Sequence, residues 1–208
     1  MTTGAGLLVW LHGDAAYEFK NPSSTYVMGG ANGVRTACKN NGYILVSALA
    51  PDTSGTVTWW ENGTSKAAYL KALLDYLKTT YQPATGRVVL AGFSGGAQQT
   101  TQFFLNSNPN YFEQGGGTIA IGGGEAPDGD PTFTAATKAN MWMHWAAGAN
   151  DTSANSEDGF DGRGSAEYGE QWFRGKGIAR TSIQIIAGKP HDISPNFGPV
   201  VAAQLSSH

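Results

Sequence analysis

A tight glycine-rich turn between an apolar run and a helical stretch constrains the fold of this chain more than any other feature. The turn spans residues 92–96 (GFSGG). Residues 87–91 before it form a short apolar run rich in β-branched residues, which predicts a buried strand. Residues 97–105 after it contain neither Pro nor Gly, so the chain can continue as a helix. Strand, G-x-S-x-G and helix in this order predict a sharp turn that projects the Ser94 hydroxyl from the edge of a sheet.

The glycines of this turn have a steric role. A Cβ two residues before or after the serine would collide with the neighbouring strand and helix. The same turn places Ser94 at a helix N-terminus, where the partial positive charge favours a developing anion. An ordinary turn whose serine caps the helix would have the same sequence, so a nucleophilic role for Ser94 requires partner residues elsewhere in the chain.

Two such partners follow strand candidates further along the chain. Residues 140–147 predict a buried strand that is followed by Asp151, and residues 182–187 predict another that is followed by His191. Parallel strands place their carboxyl ends at one edge of a sheet, so we expect both side chains at the edge where Ser94 emerges. The separations leave room for a helical crossover between the strands.

These three residue types suit one chemistry. A serine hydroxyl is a weak nucleophile until a base accepts its proton. An imidazole titrates near neutrality and can both accept that proton and pass it to the leaving group. A carboxylate fixes the imidazole tautomer and stabilises the imidazolium. The sequence therefore predicts Ser94 as the nucleophile, His191 as the base and Asp151 as the residue that orients the base.

Three other histidines compete with His191 for the role of base. His12 lies beside a glycine near the start of the chain, His144 lies within a predicted strand, and His208 is the last residue. A histidine within an apolar strand is more often a core residue with a satisfied hydrogen bond. His191 is therefore the predicted base.

Three other aspartates compete with Asp151 for the role of acid. Asp158 and Asp161 fall in an acidic, glycine-rich stretch that is typical of a solvated loop. Asp192 adjoins His191, and adjacent residues on a loop rarely face one another. The loop that holds Asp158 and Asp161 is the alternative source of the acid.

Four blocks spread over nearly the whole chain resemble those of α/β-hydrolases. They are residues 11–14 (LHGD), 92–96 (GFSGG), 148–151 (GAND) and 191–193 (HDI). The chain is similar to the esterase groups of that superfamily, which include carboxylesterase/acyl-thioesterase enzymes and polyhydroxybutyrate depolymerase/feruloyl esterase-like enzymes. The order Ser94, Asp151, His191 is also the order of α/β-hydrolases. Gly95-Gly96, in place of the Gln-Gly usual in the carboxylesterase group, leaves the acyl specificity open, as does the long acidic loop after Asp151.

The resemblance also implies an oxyanion hole. In α/β-hydrolases a loop after an early strand carries a His-Gly pair, and a backbone N–H just beyond it donates to the oxyanion. The second donor is the residue after the nucleophile. Here the strand candidate Gly6–Leu11 is followed by His12-Gly13, which assigns the two donors to the amides of Asp14 and Gly95. The Asp14 side chain is expected to cap the following segment.

The coarse secondary structure predicts a doubly wound, mostly parallel sheet of about six strands with flanking helices. Further strands are predicted at 42–47 and 118–121, a long helix at 65–81 and a closing helix at 197–205. No linker or repeat divides the chain, so residues 1–208 are expected to form a single compact α/β-hydrolase catalytic domain. Full-size α/β-hydrolases begin with a strand hairpin that has no counterpart before Gly6, which implies a compact member or a trimmed chain.

Charge and composition argue against several classes of partner. The formal net charge is −3 and no basic run occurs, which argues against a nucleic-acid surface. No apolar stretch approaches a membrane span and no signal peptide opens the chain, while the composition is compatible with a secreted mature domain or with the cytoplasm. Cys38 is the only cysteine and is expected to be a buried apolar residue. No Cys/His cluster predicts a metal site, and we expect no cofactor.

The sequence thus predicts a serine esterase that cleaves carboxylic esters through an acyl-enzyme. Trp59 and Trp60 follow the strand at 42–47 on the loop side of the sheet, where they are candidate walls of a substrate pocket, as is Tyr17. Packing of at least one of the two tryptophans in the core is the alternative. The same triad would support acyl transfer or peptide hydrolysis, and the fold without turnover would be a binding module.

Overall fold

Six β-strands form the centre of the molecule. The computed structural model describes residues 4–52 and 54–208 of the chain. The strands are β1 (Gly6–Leu11), β2 (Tyr43–Ala48), β3 (Val88–Phe93), β4 (Gly116–Ile121), β5 (Met141–Gly148) and β6 (Arg180–Ile186). Each of these strands was expected from the sequence, and the predicted ends differ from the observed ends by no more than two residues.

The strands form a parallel sheet in the order β2-β1-β3-β4-β5-β6. β1, β3, β4 and β5 are buried along their whole length, whereas the edge strands β2 and β6 are partly exposed. A parallel strand that is covered on both faces carries apolar or small residues at nearly every position, which is why the central strands are continuous apolar runs in the sequence.

Helices cover both faces of the sheet. They are α1 (Tyr17–Lys20), α2 (Val34–Asn40), α3 (Gly63–Tyr81), α4 (Gly95–Gln98), α5 (Leu105–Ser107), α6 (Ala135–Asn140), α7 (Gly162–Gly175) and α8 (Phe197–Ser207). The chain also has 3₁₀ turns at Asp14–Ala16 and Ser153–Asn155 and a π-helical stretch at Gln99–Phe104. One core lies between the sheet and α3, α4, the π-helical stretch and α7, and a second core lies between the sheet and α2 and α8. The predicted doubly wound architecture is confirmed.

The order of the strands reverses between β1 and β3. The chain runs from β1 outward to β2, then crosses back to β3 and continues in the opposite direction. Leu11 at the end of β1 lies beside Gly92 near the end of β3. In open α/β sheets a crevice forms outside the carboxyl ends of the strands at such a reversal, and ligands bind there. This topology brings residues 12–14 next to Ser94.

The helix that follows Ser94 is continuous, but its winding changes along its length. α4 leads into the π-helical stretch and then into α5. Thr100 Oγ1 donates a hydrogen bond to the carbonyl of Gly96 at 2.9 Å. A hydroxyl that binds the carbonyl four residues earlier competes with the backbone ladder and bends the helix. The helix predicted over 97–105 is therefore present, with a local departure from α-helical geometry.

α7 was not predicted from the sequence. The acidic, glycine-rich stretch up to Gly164 was expected to be a solvated loop, but α7 already begins at Gly162. Asp161 caps this helix, because its Oδ1 accepts a hydrogen bond from the N–H of Gly164 at 2.7 Å. An aspartate at this position satisfies one of the free amides of the first helical turn. The expectation of a loop is thus wrong for the end of the stretch.

His144 is a buried residue of β5, as predicted. Its Nδ1 lies 2.8 Å from Ser182 Oγ, whereas its Nε2 has no hydrogen-bond partner within the described residues. The expected satisfied core histidine is therefore satisfied at only one of its two nitrogens. Burial lowers the pKa of His144 from 6.5 to about 4, and the positive charge of His208 makes a smaller contribution in the same direction.

Acid should weaken the fold through His144. Because its folded pKa lies below the unfolded value, the unfolded chain binds a proton between pH 6.5 and about 4 that the folded chain does not bind. The free energy of unfolding is therefore unaffected by His144 above pH 6.5, and proton binding to the unfolded chain lowers it by about 2 kcal/mol by pH 4.5. Urea unfolding at pH 7 and pH 4.5 should show a loss about 2 kcal/mol smaller in His144→Leu than in the wild type. Equal losses in both proteins would contradict this role.

Three sequence-based expectations concern Cys38, membrane-spanning helices and metal-ligating groups. Cys38 is buried in α2, and burial raises the pKa of its thiol to about 12, so the thiol is held in its neutral form. Across residues 4–52 and 54–208, no helix has both the length and the apolar character required to cross a membrane. No group of three or more metal-ligating side chains occurs in the same part of the chain.

Candidate active site

Ser94 occupies a strained turn at the end of β3. Its backbone angles are φ 53° and ψ −119°, a conformation that residues with a side chain rarely adopt. The Ser94 N–H donates to the carbonyl of Ile121 at 2.9 Å, which ties the turn to the neighbouring strand β4. A Cβ on Gly92 would lie 2.8 Å from the backbone nitrogen of Ala97, so the turn closes only with glycine there. The sharp turn predicted from the motif is observed.

Asp151 and His191 meet at the same edge of the sheet. Asp151 follows β5 and His191 follows β6, and the His191 Nδ1 lies 2.9 Å from Asp151 Oδ2 and 3.0 Å from Oδ1. The Asp151 side chain is 2% exposed and the His191 side chain is 37% exposed. A buried carboxylate that accepts from Nδ1–H fixes the ring as the tautomer whose Nε2 can act as a base.

Three neighbours fix the orientation of the His191 ring. The ring centroid lies 4.8 Å from that of Phe93 and 5.8 Å from that of Phe160. A Cβ on Gly122 would lie 3.0 Å from the His191 Cε1, so a glycine leaves room for the ring on that side. Within the described residues the Ser94 hydroxyl caps no helix and makes no hydrogen bond. The hydrogen bond from a serine nucleophile to its base commonly tightens only when substrate is bound.

The start of α7 covers the carboxylate of Asp151. A Cβ on Gly162 would lie 2.7 Å from the Asp151 carboxyl carbon, so the first turn of the helix lies directly against the carboxylate. The Arg163 N–H donates to the Asp151 carbonyl at 2.8 Å. The helix that the sequence did not predict thus explains why Asp151 is almost fully buried.

The three rival aspartates are engaged elsewhere. Asp192 Oδ1 accepts from the Ser194 N–H at 2.7 Å, and Asp158 accepts from the Ser156 hydroxyl and the Phe160 N–H. Asp161 caps α7. In the part of the chain that the structure describes, none of the three hydrogen-bonds to the His191 ring.

His12 fixes the loop after β1. The N–H of Ala50 donates to His12 Nε2 at 3.1 Å, which leaves Nδ1–H to donate to the Gly13 carbonyl at 2.6 Å. Burial lowers the pKa of His12 and favours this neutral form. Because the peptide bond is planar and trans, a Gly13 carbonyl held on one side turns the Asp14 N–H to the opposite side. His12 thus orients the amide that the sequence assigned to the oxyanion hole.

Glu18 in α1 is a buried residue beside this loop that sequence reasoning missed. The N–H of Gly13 donates to both of its carboxylate oxygens, at 3.1 Å and 3.2 Å. Glu18 is 2% exposed, and burial raises the pKa of its carboxyl group. Hydrogen bonds therefore fix both backbone groups of Gly13: Glu18 accepts from its N–H, and His12 donates to its carbonyl. Nothing in the local sequence distinguishes Glu18 from a surface glutamate.

The two amides assigned to the oxyanion hole flank the same cavity. Asp14 begins a 3₁₀ turn and Gly95 begins α4, so neither N–H has a carbonyl of its own turn to bind. A Cβ on Gly95 would lie 2.6 Å from Asp14 Oδ1, which shows how closely the two residues approach. The Asp14 side chain accepts hydrogen bonds from Thr58 and Trp60 and caps no helix, contrary to expectation.

Ser94 and His191 line a cavity of about 690 Å³. Its lining residues are Asp14, Trp60, Ser94, Gly95, Gln98, Asn150, Asp151, Thr152, Asn155, Ser156, Glu157, Asp158, Gly159, Phe160, Pro190, His191 and Asp192. Five of these described residues are acidic and none is Lys or Arg. A pocket with this lining has a negative potential, which disfavours anionic molecules.

Of the three candidate substrate residues, the structure places Trp60 in this cavity. Trp60 is 43% exposed and lines the cavity wall. Trp59 is fully buried, and its ring centroid lies 5.6 Å from that of His12 and 6.4 Å from that of Tyr69. Trp59 is therefore a core residue, and its prediction as a wall of the pocket is wrong. Tyr17 is exposed, packs edge-on against Tyr26 and does not line this cavity.

The fold is shared with solved structures, although no family model and no curated protein matches the sequence. SOBER1 from Arabidopsis thaliana matches with a TM-score of 0.71 at 14% identity, over 98% of this chain and 98% of SOBER1. A carboxylesterase from Bacillus cereus matches with a TM-score of 0.66 at 14% identity, over 100% of this chain and 90% of the other. An α/β serine hydrolase homologue from Coxiella burnetii matches with a TM-score of 0.54 at 14% identity, over 98% and 88%. The chain has an α/β-hydrolase fold.

In an α/β-hydrolase fold the carboxyl edge of the sheet carries the reactive residues on loops. In this chain that edge brings together Ser94, Asp151 and His191 around one cavity, with Asp14 and Gly95 at its wall. The fold implied by the sequence resemblance is confirmed. TM-scores of 0.71, 0.66 and 0.54 over at least 98% of this chain show the shared fold.

Proposed function

We propose that this chain is a serine hydrolase that cleaves carboxylic esters through an acyl-enzyme intermediate. The observation that carries the proposal is the His191–Asp151 pair at the cavity that also contains Ser94. A contact between a buried carboxylate and a histidine Nδ1, beside a strained serine turn, is the arrangement that serine nucleophiles require. We further propose that residues 1–208 act as one catalytic domain, with no cofactor.

Each residue has one role in this proposal. Ser94 Oγ attacks the ester carbonyl as His191 Nε2 takes its proton, and the carbonyl oxygen becomes an oxyanion. The Asp14 and Gly95 amides donate to that oxyanion. His191 then returns the proton to the departing alcohol oxygen, which leaves the acyl group on Ser94. A water molecule, deprotonated by His191, then attacks the acyl carbon. The bond from that carbon to Ser94 Oγ breaks, His191 passes the proton to Oγ, and the acid is released. Asp151 stabilises the imidazolium in both steps.

The surroundings favour particular esters. The five acidic residues of the cavity favour neutral or positively charged esters over anionic ones.

SOBER1, the Bacillus cereus carboxylesterase and esterase PE8 share the fold of this chain. Esterase PE8 matches at 17% identity with a TM-score of 0.66, over 99% of this chain and 94% of its own. Two of these three are named as esterases, which supports ester hydrolysis as the reaction.

Burst kinetics with a neutral p-nitrophenyl ester test the proposal. If acylation precedes a slower deacylation, p-nitrophenol should appear in a rapid burst of about one equivalent per chain before the steady rate. Added methanol should increase the steady rate and divert product to the methyl ester if acyl transfer competes with hydrolysis. Absence of both burst and turnover with neutral, cationic and anionic esters would contradict the proposal.

Asp151→Asn should lower kcat/KM by about 10³- to 10⁴-fold, less than the loss of Ser94, because the remaining groups retain partial function. The amide favours the wrong tautomer of His191 and cannot stabilise the imidazolium. Asp192→Asn is the matched control and should retain at least about half of the activity, since Asn can still accept from the Ser194 N–H. Full activity in Asp151→Asn would move the acid role to the loop of Asp158 and Asp161.

A further inference from the structure

The loop proposed to form the oxyanion hole has a strained backbone. Ala15 and Ala16 follow Asp14 directly and both adopt positive φ angles, 66° and 57°. Residues with a Cβ rarely adopt this conformation, and two in succession persist only where the surrounding structure imposes it. The contacts that impose it therefore determine where the Asp14 N–H points.

Most of these contacts come from one neighbouring segment, residues 57–60. The Val57 carbonyl accepts from the Ala15 N–H at 2.9 Å. The Thr58 hydroxyl donates to Asp14 Oδ1, and the Trp60 Nε1–H donates to Asp14 Oδ2 at 3.0 Å. Each oxygen of the Asp14 carboxylate thus has its own donor, and both donors belong to this segment.

Segment 57–60 is itself rigidly held on its far side. Lys66 is almost fully buried in α3, pairs with Asp52 at 2.7 Å and donates to the Thr58 carbonyl. Asp52 Oδ2 in turn accepts from the Thr58 N–H at 2.9 Å. The buried Gln99 amide, oriented to match its neighbours, donates to the Trp59 carbonyl at 2.8 Å. The segment is thereby fixed to α3 and to the helix that follows Ser94.

We propose that Thr58 and Trp60 are positioning residues that act through the Asp14 side chain. Together the three side chains form a clamp, named here the Asp14 clamp, that holds the strained loop so that the Asp14 N–H faces the developing oxyanion. The inference rests on the proposed function, and it assigns Asp14 two separate tasks. Its backbone donates to the oxyanion, and its carboxylate fixes that backbone in place.

The clamp makes a kinetic prediction that a purely structural role would not make. An oxyanion donor acts on the transition state and hardly on bound ester, so a loosened clamp lowers kcat and leaves KM nearly unchanged. If the Asp14 carboxylate instead acted only as a negative charge beside the oxyanion, Asp14→Asn would raise kcat. Under the clamp, Asp14→Asn lowers kcat, because the Asn Oδ1 can accept from only one of the two donors and the Nδ2 is itself a donor.

The decisive comparison is Thr58→Val against Thr58→Ser. Valine keeps the shape of threonine and loses the hydroxyl, whereas serine keeps the hydroxyl and loses the methyl group. With a neutral p-nitrophenyl ester, we expect Thr58→Val to lower kcat about 10-fold with KM changed less than twofold, and Thr58→Ser to restore most of that loss. Trp60→Phe, which keeps an aromatic wall and removes the N–H, should also lower kcat. The affinity for a trifluoromethyl ketone, which forms a tetrahedral adduct, should fall by the same factors.

A second measurement is independent of ester turnover. The Ala15 N–H donates a hydrogen bond to the Val57 carbonyl. Hydrogen exchange of this N–H should be at least about 10-fold faster in Thr58→Val than in the wild type and in Thr58→Ser. Unchanged exchange, or a Thr58→Ser defect as large as that of Thr58→Val, would overturn the clamp. So would wild-type kcat in Thr58→Val. A wild type that fails to turn over any ester would overturn the proposed function instead, and the exchange comparison would still decide the clamp.

Discussion

Ser94→Ala should lower ester turnover by at least about 10⁵-fold while leaving the midpoint of thermal unfolding within about 2 °C of the wild type. The hydroxyl is the only group in the cavity proposed to attack the ester, and single removal of such a nucleophile eliminates most of the catalysis. Its side chain caps no helix and makes no hydrogen bond in the described part of the chain, so little stability depends on it. Turnover at the wild-type rate in Ser94→Ala would refute the assignment of the nucleophile.

Ser94→Gly is the companion variant, because it separates the strain of the turn from its chemistry. Alanine keeps the Cβ at φ 53° and ψ −119°, whereas glycine adopts these angles with little cost. We expect Ser94→Gly to be as inactive as Ser94→Ala but more stable by about 1 kcal/mol in urea unfolding. Equal stability of the two variants would mean that the turn is not strained by its side chain.

Gly96→Ala should destabilise the fold by about 3 kcal/mol or more, or prevent folding altogether. A Cβ at this position would lie 2.7 Å from the carbonyl carbon of Leu11 and 2.9 Å from the carbonyl oxygen of His12. Both are backbone atoms at the end of β1, which cannot move aside as a flexible side chain would. Forced separation of α4 from β1 loses packing in the core and displaces the loop that orients the Asp14 amide.

Gly175→Ala is the matched control for Gly96→Ala. Gly175 is the last residue of α7, and a Cβ there meets no other heavy atom within 4 Å. Alanine has the higher helix propensity, so this variant should be as stable as the wild type or more stable by up to about 1 kcal/mol. Urea unfolding of both variants measures the contrast. Similar stability of Gly96→Ala and Gly175→Ala would contradict the close approach of α4 to β1.

The sequence predicted the sheet well because its strands are physically distinctive. Interior parallel strands such as β1 and β3 need apolar residues on both faces, so they stand out as short continuous runs. The loops after these strands then fall at one edge of the sheet by topology alone. This is why Ser94, Asp151 and His191 could be placed together from their positions relative to predicted strands.

α7 was not predicted because its glycines, which tertiary packing requires, disfavour a helix in the local sequence. Four of its residues are glycine, which lowers the helix propensity of the segment. At least one of them is required by the fold, since a Cβ on Gly169 would lie 3.0 Å from the Trp145 Nε1 and overlap the carbonyl of Gly124. The close approach of α7 to the sheet therefore overrides local propensity, and a local reading of the sequence favours a loop.

The details of the site depend on contacts between residues distant in sequence. Asp14 was expected to cap the next helical segment, but it binds Thr58 and Trp60 instead. Trp59 and Trp60 are adjacent and chemically identical, yet one is core and the other lines the cavity. The packing of segment 57–60 against α3 buries Trp59 and exposes Trp60, and the spacing of residues in the sequence does not predict this difference.

Labelling of the purified protein with a fluorophosphonate, followed by intact mass and peptide mapping, tests the central claim most directly. The reagent reacts with a serine only when a base and an oxyanion hole activate it. The account predicts a single adduct of one equivalent on the peptide that contains Ser94, and none in Ser94→Ala. Folded protein that remains unlabelled, or an adduct on another residue, would contradict an activated Ser94 and favour a binding module with this fold.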